Sequence, residues 1–176
     1  PDADRDELNR AYADAMSDVA ARFADDPTIQ ALYADALMNL APWDYWEADG
    51  ETLREPVEDL VQVLEGALKT DPQHPYAIHL YIHTVEASQT PERAEPHAER
   101  LAEPIPGAGH IVHMPSHIYF RIGRFRDSIE SNRDAVAADE AYLAAVTPPE
   151  GIYPYSYYPH NVHFLLESAR MAGDAD

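Results

Sequence analysis

Cysteine is absent from the 176 residues, which removes disulfides, thiolate nucleophiles and sulfur ligands from the chemistry open to the chain. Any metal must then be held by imidazole and oxygen. Basic residues are scarce: 12 Lys and Arg stand against 32 Asp and Glu, for a net charge of −20. A field of that sign repels phosphate backbones and anionic lipid and attracts cations, so no nucleic acid and no membrane surface is expected as a partner. No apolar run reaches the roughly 18 residues of a spanning helix, and no charged-then-apolar leader opens the chain. The opening PDADRDELNR reads as the start of a piece cut from a longer protein, so the missing leader excludes little. Strand alternation bounded by hairpin turns is also missing, which leaves an all-α class. What is present, 45% hydrophobic and 25% charged residues, suits one folded domain over 1–176.

The helices show in the spacing of apolar residues. Leu8, Tyr12, Met16, Val19 and Phe23 recur at three- and four-residue steps, as do Ile29, Leu32, Tyr33, Ala36 and Leu37 in the next segment. Pro42 stops the second run. A third stripe, Val57, Leu60, Val61, Leu64 and Leu68, ends at Asp71-Pro72.

A period underlies the middle of the chain. His79 and His113 lie 34 residues apart, and so do His83 and His117. Thirty-four is the tetratricopeptide repeat length. The residues follow: Tyr119 takes the aromatic place of a first helix, Gly123 and Phe125 the turn, and Ser128 and Ala135 small places in a second helix. Ala94 and Pro106 take matching places one copy earlier, while Ile78 and Val112 stand where the motif has tryptophan. On these residues the chain resembles a tetratricopeptide repeat protein. The resemblance implies an α-solenoid of antiparallel helix pairs, about 3–4 repeats. Its units are a loose repeat over 27–72, repeats over 75–108 and 109–142, an insertion over 143–158 and a partial repeat over 159–176. The chain ends before a partner for that last helix, which suggests a fragment of a longer array. The blocks HLYIHTVEAS, GAGHIVHMPSHIYFRIGRF, RDAVAADEAYL and YYPHNVHF further resemble a family of bacterial tetratricopeptide repeat proteins longer than this chain. That likeness implies an architecture and no reaction.

Histidines carry the chemistry. The pairs His79/His83 and His113/His117 are each four apart, a chelating spacing on a helix. The repeat resemblance implies that the second, fifth and ninth places of each first helix face the concave groove. Those places hold Tyr76, His79 and His83, then His110, His113 and His117, then His160, His163 and Glu167; in the loose early unit they hold Thr28, Ala31 and Asp35. Seven of the nine histidines therefore fall on groove places, His74 and His97 being the exceptions. Burying seven imidazoles as plain core would demand a partner for each, at about 1–3 kcal/mol per unsatisfied group. The expectation is a polyhistidine transition-metal site of one or two ions, copper ahead of zinc and iron third. Function would then be metal handling or metal-dependent oxidoreduction, with Glu86 and Glu167 as candidate proton carriers. The alternative is an interaction scaffold whose groove takes a peptide, or a small molecule. Pro115, inside HMPSH, either bends its helix or occupies a first turn. Tyr153, Tyr155, Tyr157 and Tyr158 read as a loop packed on the scaffold or as a lid. Trp43 and Trp46 read as loop anchors. Oligomeric state and compartment stay open.

Overall fold

Asp4 begins the first helix by accepting the Asp6 N–H on its carboxylate at 2.9 Å, and α1 runs Arg5–Arg22. In the computed structural model, which describes residues 4–101, 105–146 and 151–174, every regular element is a helix, with no strand among those residues. None of its helices is long and apolar enough to cross a membrane. The chain divides into two compact units, Pro1–Thr90 and Pro91–Asp176. The division falls inside the segment 75–108; residues 102–104 of that repeat and 147–150 of the insertion lie outside the described residues.

In the first unit α2 (Pro27–Met38) is capped by Asp26, which accepts from the Thr28 and Ile29 amides, with Pro27 at the first helical position. α3 (Leu60–Thr70) and α4 (Pro75–Val85) follow, and α2 packs on α1, α3 and α4. Val57, Leu60, Val61, Leu64 and Leu68 are buried, as their periodicity predicts. The stripe read on α1 differs: Leu8, Tyr12 and Phe23 are 50%, 45% and 48% exposed, and the buried residues are Ala13 and Ala20. Those alanines lie to one side of the apolar stripe. α1 meets the alanine-rich α2 (Ala31, Ala34 and Ala36, all 0% exposed) through its smallest side chains, which permits close axial approach.

The long connection between α2 and α3 is tied down by polar contacts. Trp46 donates its indole N–H to the Thr84 carbonyl at 2.6 Å, and Arg54 donates to the Trp46 carbonyl at 2.8 Å. Trp46 therefore anchors the loop as expected. Trp43 does not: it is 72% exposed, and its ring edge meets His83. His74 caps α4, its Nδ1 accepting the Ala77 N–H at 3.2 Å while Nε2 donates to the Thr28 hydroxyl at 3.0 Å. This gives His74 a structural role.

In the second unit a 3-10 turn (Pro91–Ala94) leads into α5 (Glu95–Leu101), then α6 (Gly109–His113), α7 (Pro115–Arg121) and α8 (Phe125–Ala145). A π-helical turn (Tyr153–Tyr157) precedes α9 (Tyr158–Ala172). α8 is the hub, packing on α6, α7 and α9, while α5 packs on α7. Pro115 both breaks the helix and starts the next: α6 ends at His113, and Met114 joins the two in helical conformation. Gly109 sits so close to α8 that a Cβ there would lie 1.9 Å from Asp139 Oδ1. Arg124 fastens the turn before α8, pairing with Glu95, Glu99 and Asp127 at 2.6, 2.9 and 2.6 Å and lying over the Tyr119 ring. Gly173, at φ +70°, ends α9, with the Asp174 amide reaching back to the Ala169 carbonyl at 3.0 Å.

Candidate metal centre

Three helices of the second unit converge on one point. α6 supplies His113, α7 supplies His117 and α9 supplies His160. His113 Nε2 lies 2.9 Å from His117 Nε2 and 3.0 Å from His160 Nε2. One ring nitrogen from each of the three falls within 4.8 Å of the others. His113 is fully buried and His117 is 7% exposed. Phe164, one turn beyond His160 on α9, packs its ring against all three imidazoles.

Burial and the neighbouring imidazoles hold the His113 pKa well below the usual 6.5, burial being the larger cause; the contact with Asn132 opposes them. His113 is therefore neutral at pH 7. The far side of its ring is built as carefully as the near side. Nδ1 lies 2.7 Å from Asn132 Oδ1 and 3.2 Å from the Ser116 hydroxyl. Asn132 Nδ2 donates to the Ser128 carbonyl at 2.7 Å, and the Ser128 and Ser168 hydroxyls meet at 2.7 Å. Ser168 donates in turn to the Phe164 carbonyl at 2.8 Å. Asn132, Ser128 and Ser168 are all 0% exposed.

The other expected ligands are placed as follows. His110 on α6 stacks at 6.0 Å between centroids on His113 and meets the Tyr157 ring at 4.8 Å. His163 is exposed and does not join the three. Relative to the buried Asn161 and Ser168 of α9, His160 stands about 90° round the helix and His163 about 150°, on the solvent side. Glu167 shares the His160 face but lies about 10 Å further along the axis, and its carboxylate is bound by Arg170 at 2.7 Å. His79 and His83 belong to the first unit, where their rings meet edge-on at 4.9 Å and His83 Nδ1 lies 3.1 Å from Glu86. His97 is half-buried on α5.

The tyrosines before α9 dock their segment. Tyr153 donates to the fully buried Asp139, whose other oxygen accepts from Asn161 at 2.8 Å, and Tyr158 donates to Glu140 at 3.1 Å. Burial and Asp139 push the Tyr153 pKa up. Tyr155 is 79% exposed. Packing describes Tyr153 and Tyr158, and the Tyr157 ring meets that of His110.

The residues missed by reading the histidines alone are Asn132, Ser128 and Ser168. A signal exists for the first two. Ser128, Asn132, Ala135 and Asp139 fall at helical spacing on the buried face of α8, where a plain core would place leucine or valine.

No family model, curated protein or solved structure matches the chain. The site's chemistry accordingly rests on its own geometry: histidine groups whose ring nitrogens are close enough to coordinate one ion.

Proposed function

We propose that the second unit is a transition-metal binding domain, with His113, His117 and His160 as its ligands. The observation that carries this reading is the meeting of three Nε2 atoms from three helices, two of the rings buried. A plain core gains nothing from three clustered nitrogens, whereas three imidazoles with a further position open form a familiar binding set for transition metals. The fit is chemical as well as geometric. Among the described residues of this unit the group contains imidazoles alone, and a non-haem iron site would ordinarily add a carboxylate. Copper and zinc therefore rank ahead of iron, and copper leads on intrinsic affinity for nitrogen donors. Bound there, the ion would supply Lewis acidity or a redox couple. Around it, Phe164 excludes water from one side and the −20 charge of the chain favours cation entry. The helix pairs are read as tetratricopeptide-like, supported by the 34-residue recurrence of the histidines.

The test is metal loading of tag-free full chain, first stripped of metal and then titrated with Cu(II) or Zn(II). About one equivalent should bind tightly through this group. The His117→Ala/His160→Ala variant should lose that equivalent and the accompanying rise in melting temperature. Retention of full binding by the double variant would refute the assignment. A peptide held through His117 by protein that takes up no metal would favour the interaction scaffold instead.

A further inference from the structure

We infer that Asn132 is a positioning residue: it holds His113 as the Nδ1–H tautomer, so that the Nε2 lone pair points at the meeting place of the three rings. The inference rests on the metal-site reading for its purpose but not for its chemistry, which follows from hydrogen-bond direction and burial.

A backbone carbonyl can only accept. Asn132 places its side-chain amide 2.7 Å from the Ser128 carbonyl, so the end of the amide facing that carbonyl must be the NH2 group. The opposite end, facing His113 Nδ1 at 2.7 Å, is then the oxygen, which likewise only accepts. Nδ1 must carry the proton. The Ser116 hydroxyl, 3.2 Å from the same nitrogen, can share that proton as a second acceptor. A neutral imidazole has one N–H, and a fully buried ring set against two further imidazoles stays neutral, so Nε2 is bare. This is the protonation pattern a metal ligand needs, and a fixed partner on the distal nitrogen is the usual device for securing it.

The orientation of Asn132 is set by the Ser128 carbonyl, and the hydroxyls beside it are engaged as well. Ser168 donates to the Phe164 carbonyl at 2.8 Å, so its hydroxyl accepts from Ser128 at 2.7 Å; the Ser116 carbonyl, 3.4 Å from the same Ser128 hydroxyl, is the weaker competitor. The chain of contacts runs from α9 through α8 to the His113 ring on α6, every member fully buried except the Phe164 carbonyl at its end. A flipped Asn132 would set NH2 against Nδ1 and oxygen against oxygen, leaving two buried groups in conflict.

The pattern has a consequence for the other rings. In metal-free protein, His113 Nε2 has no proton to give and one lone pair to accept with, so the 2.9 and 3.0 Å contacts to His117 and His160 compete for that lone pair, and a ring that bonds to it donates from Nε2. An ion held by all three Nε2 atoms would need His117 and His160 to carry their protons on Nδ1, while His113 would keep its tautomer.

The experiment is a long-range 1H–15N correlation spectrum of the metal-free full chain labelled with 15N-histidine. His113 should show a pyrrole-type Nδ1 and a pyridine-type Nε2, and should keep this pattern when Zn(II) is added. Asn132→Ala should turn His113 into a tautomer mixture and weaken Zn(II) binding about 10–100-fold. Asn132→Asp, which retains an acceptor, should preserve the tautomer. A protonated Nε2 on His113 in the unsubstituted protein overturns the inference, and needs no variant to fold. So does an Asn132→Ala protein with unchanged tautomer and unchanged affinity. Zn(II) that perturbs none of the three histidines, in protein whose His113 is Nδ1–H, would instead sink the metal-site reading and leave the role of Asn132 in place.

Discussion

Replacing Gly109 by alanine should destabilise the second unit, against the ordinary direction of that change. Alanine in a helix is normally worth up to about 1 kcal/mol more than glycine. At Gly109 the added methyl would lie 1.9 Å from Asp139 Oδ1, 2.5 Å from its Cγ and 2.8 Å from the Ala135 carbonyl oxygen. The carbonyl belongs to the backbone of α8 and cannot step aside. Asp139 is fully buried and held by the Tyr153 hydroxyl and the Asn161 amide. Either α6 retreats from α8, an overpacking cost of about 1–3 kcal/mol, or Asp139 leaves its partners, at about 1.5–3 kcal/mol per hydrogen bond to a carboxylate. A net loss of about 3 kcal/mol is expected, read as a lowered midpoint in chemical denaturation followed by circular dichroism. The second arm is Asp139→Ala, which removes the obstructing atoms. The double variant should be more stable than the sum of the two single effects by at least about 1 kcal/mol, the mark of a shared contact. A Gly109→Ala protein as stable as its parent would refute the close approach of α6 to α8, and with it the placement of His113.

Two other outcomes follow from the geometry. His113 is held neutral in the fold, its pKa depressed by burial and by the neighbouring rings, so protons bind the unfolded chain first as pH falls below about 6.5. Stability supplied by this residue is present above that value and is lost on acidification toward the depressed folded pKa. Between pH 7.5 and 5.5 the loss should be about 1 kcal/mol, measured as a fall in denaturation midpoint that is absent in a His113→Gln variant; an equal fall in both proteins would contradict it. Trp46→Phe removes the 2.6 Å bond from the indole to the Thr84 carbonyl; it should cost about 1 kcal/mol and speed proteolysis within residues 39–59, and unchanged cleavage would count against the anchor.

The helical class was legible because apolar spacing reports burial when side chains are large. Val57 through Leu68 show this, all buried where the period puts them. The same rule misplaced the α1 contact, since close-packed helices touch through alanine, and alanine carries little periodic signal. Histidine spacing set His113 and His117 side by side, and their Nε2 atoms do meet at 2.9 Å, because four residues on a helix is a local relation. His160 was found on the right helix, but its neighbour His163 was not separable from it by repeat arithmetic; only the packing of Asn161 and Ser168 against α8 fixes the rotation of α9. Asn132 was out of reach for a related reason. It lies 19 residues from His113, and nothing local says that a polar residue on α8 will meet that ring.

The interruption at Pro115 also sets how much the ligand cage can stretch. Proline has no N–H, so the Ile111 carbonyl loses its regular helical donor and takes a longer 3.3 Å bond from Met114 instead. That weakened link lies between His113, pinned to α8 by Asn132, and His117, which rides on α7. Four ligands at about 2.05 Å around a tetrahedral ion stand about 3.3 Å apart, wider than the 2.9 Å between these two nitrogens. On the proposed reading, dilation of a few tenths of an ångström would fall on this joint in the main chain rather than crowd the core. If the proposed ion binds there, a joint of this kind would let the three nitrogens suit cations of differing radius, and choice among them would fall to the electronic preference of imidazole rather than to aperture size.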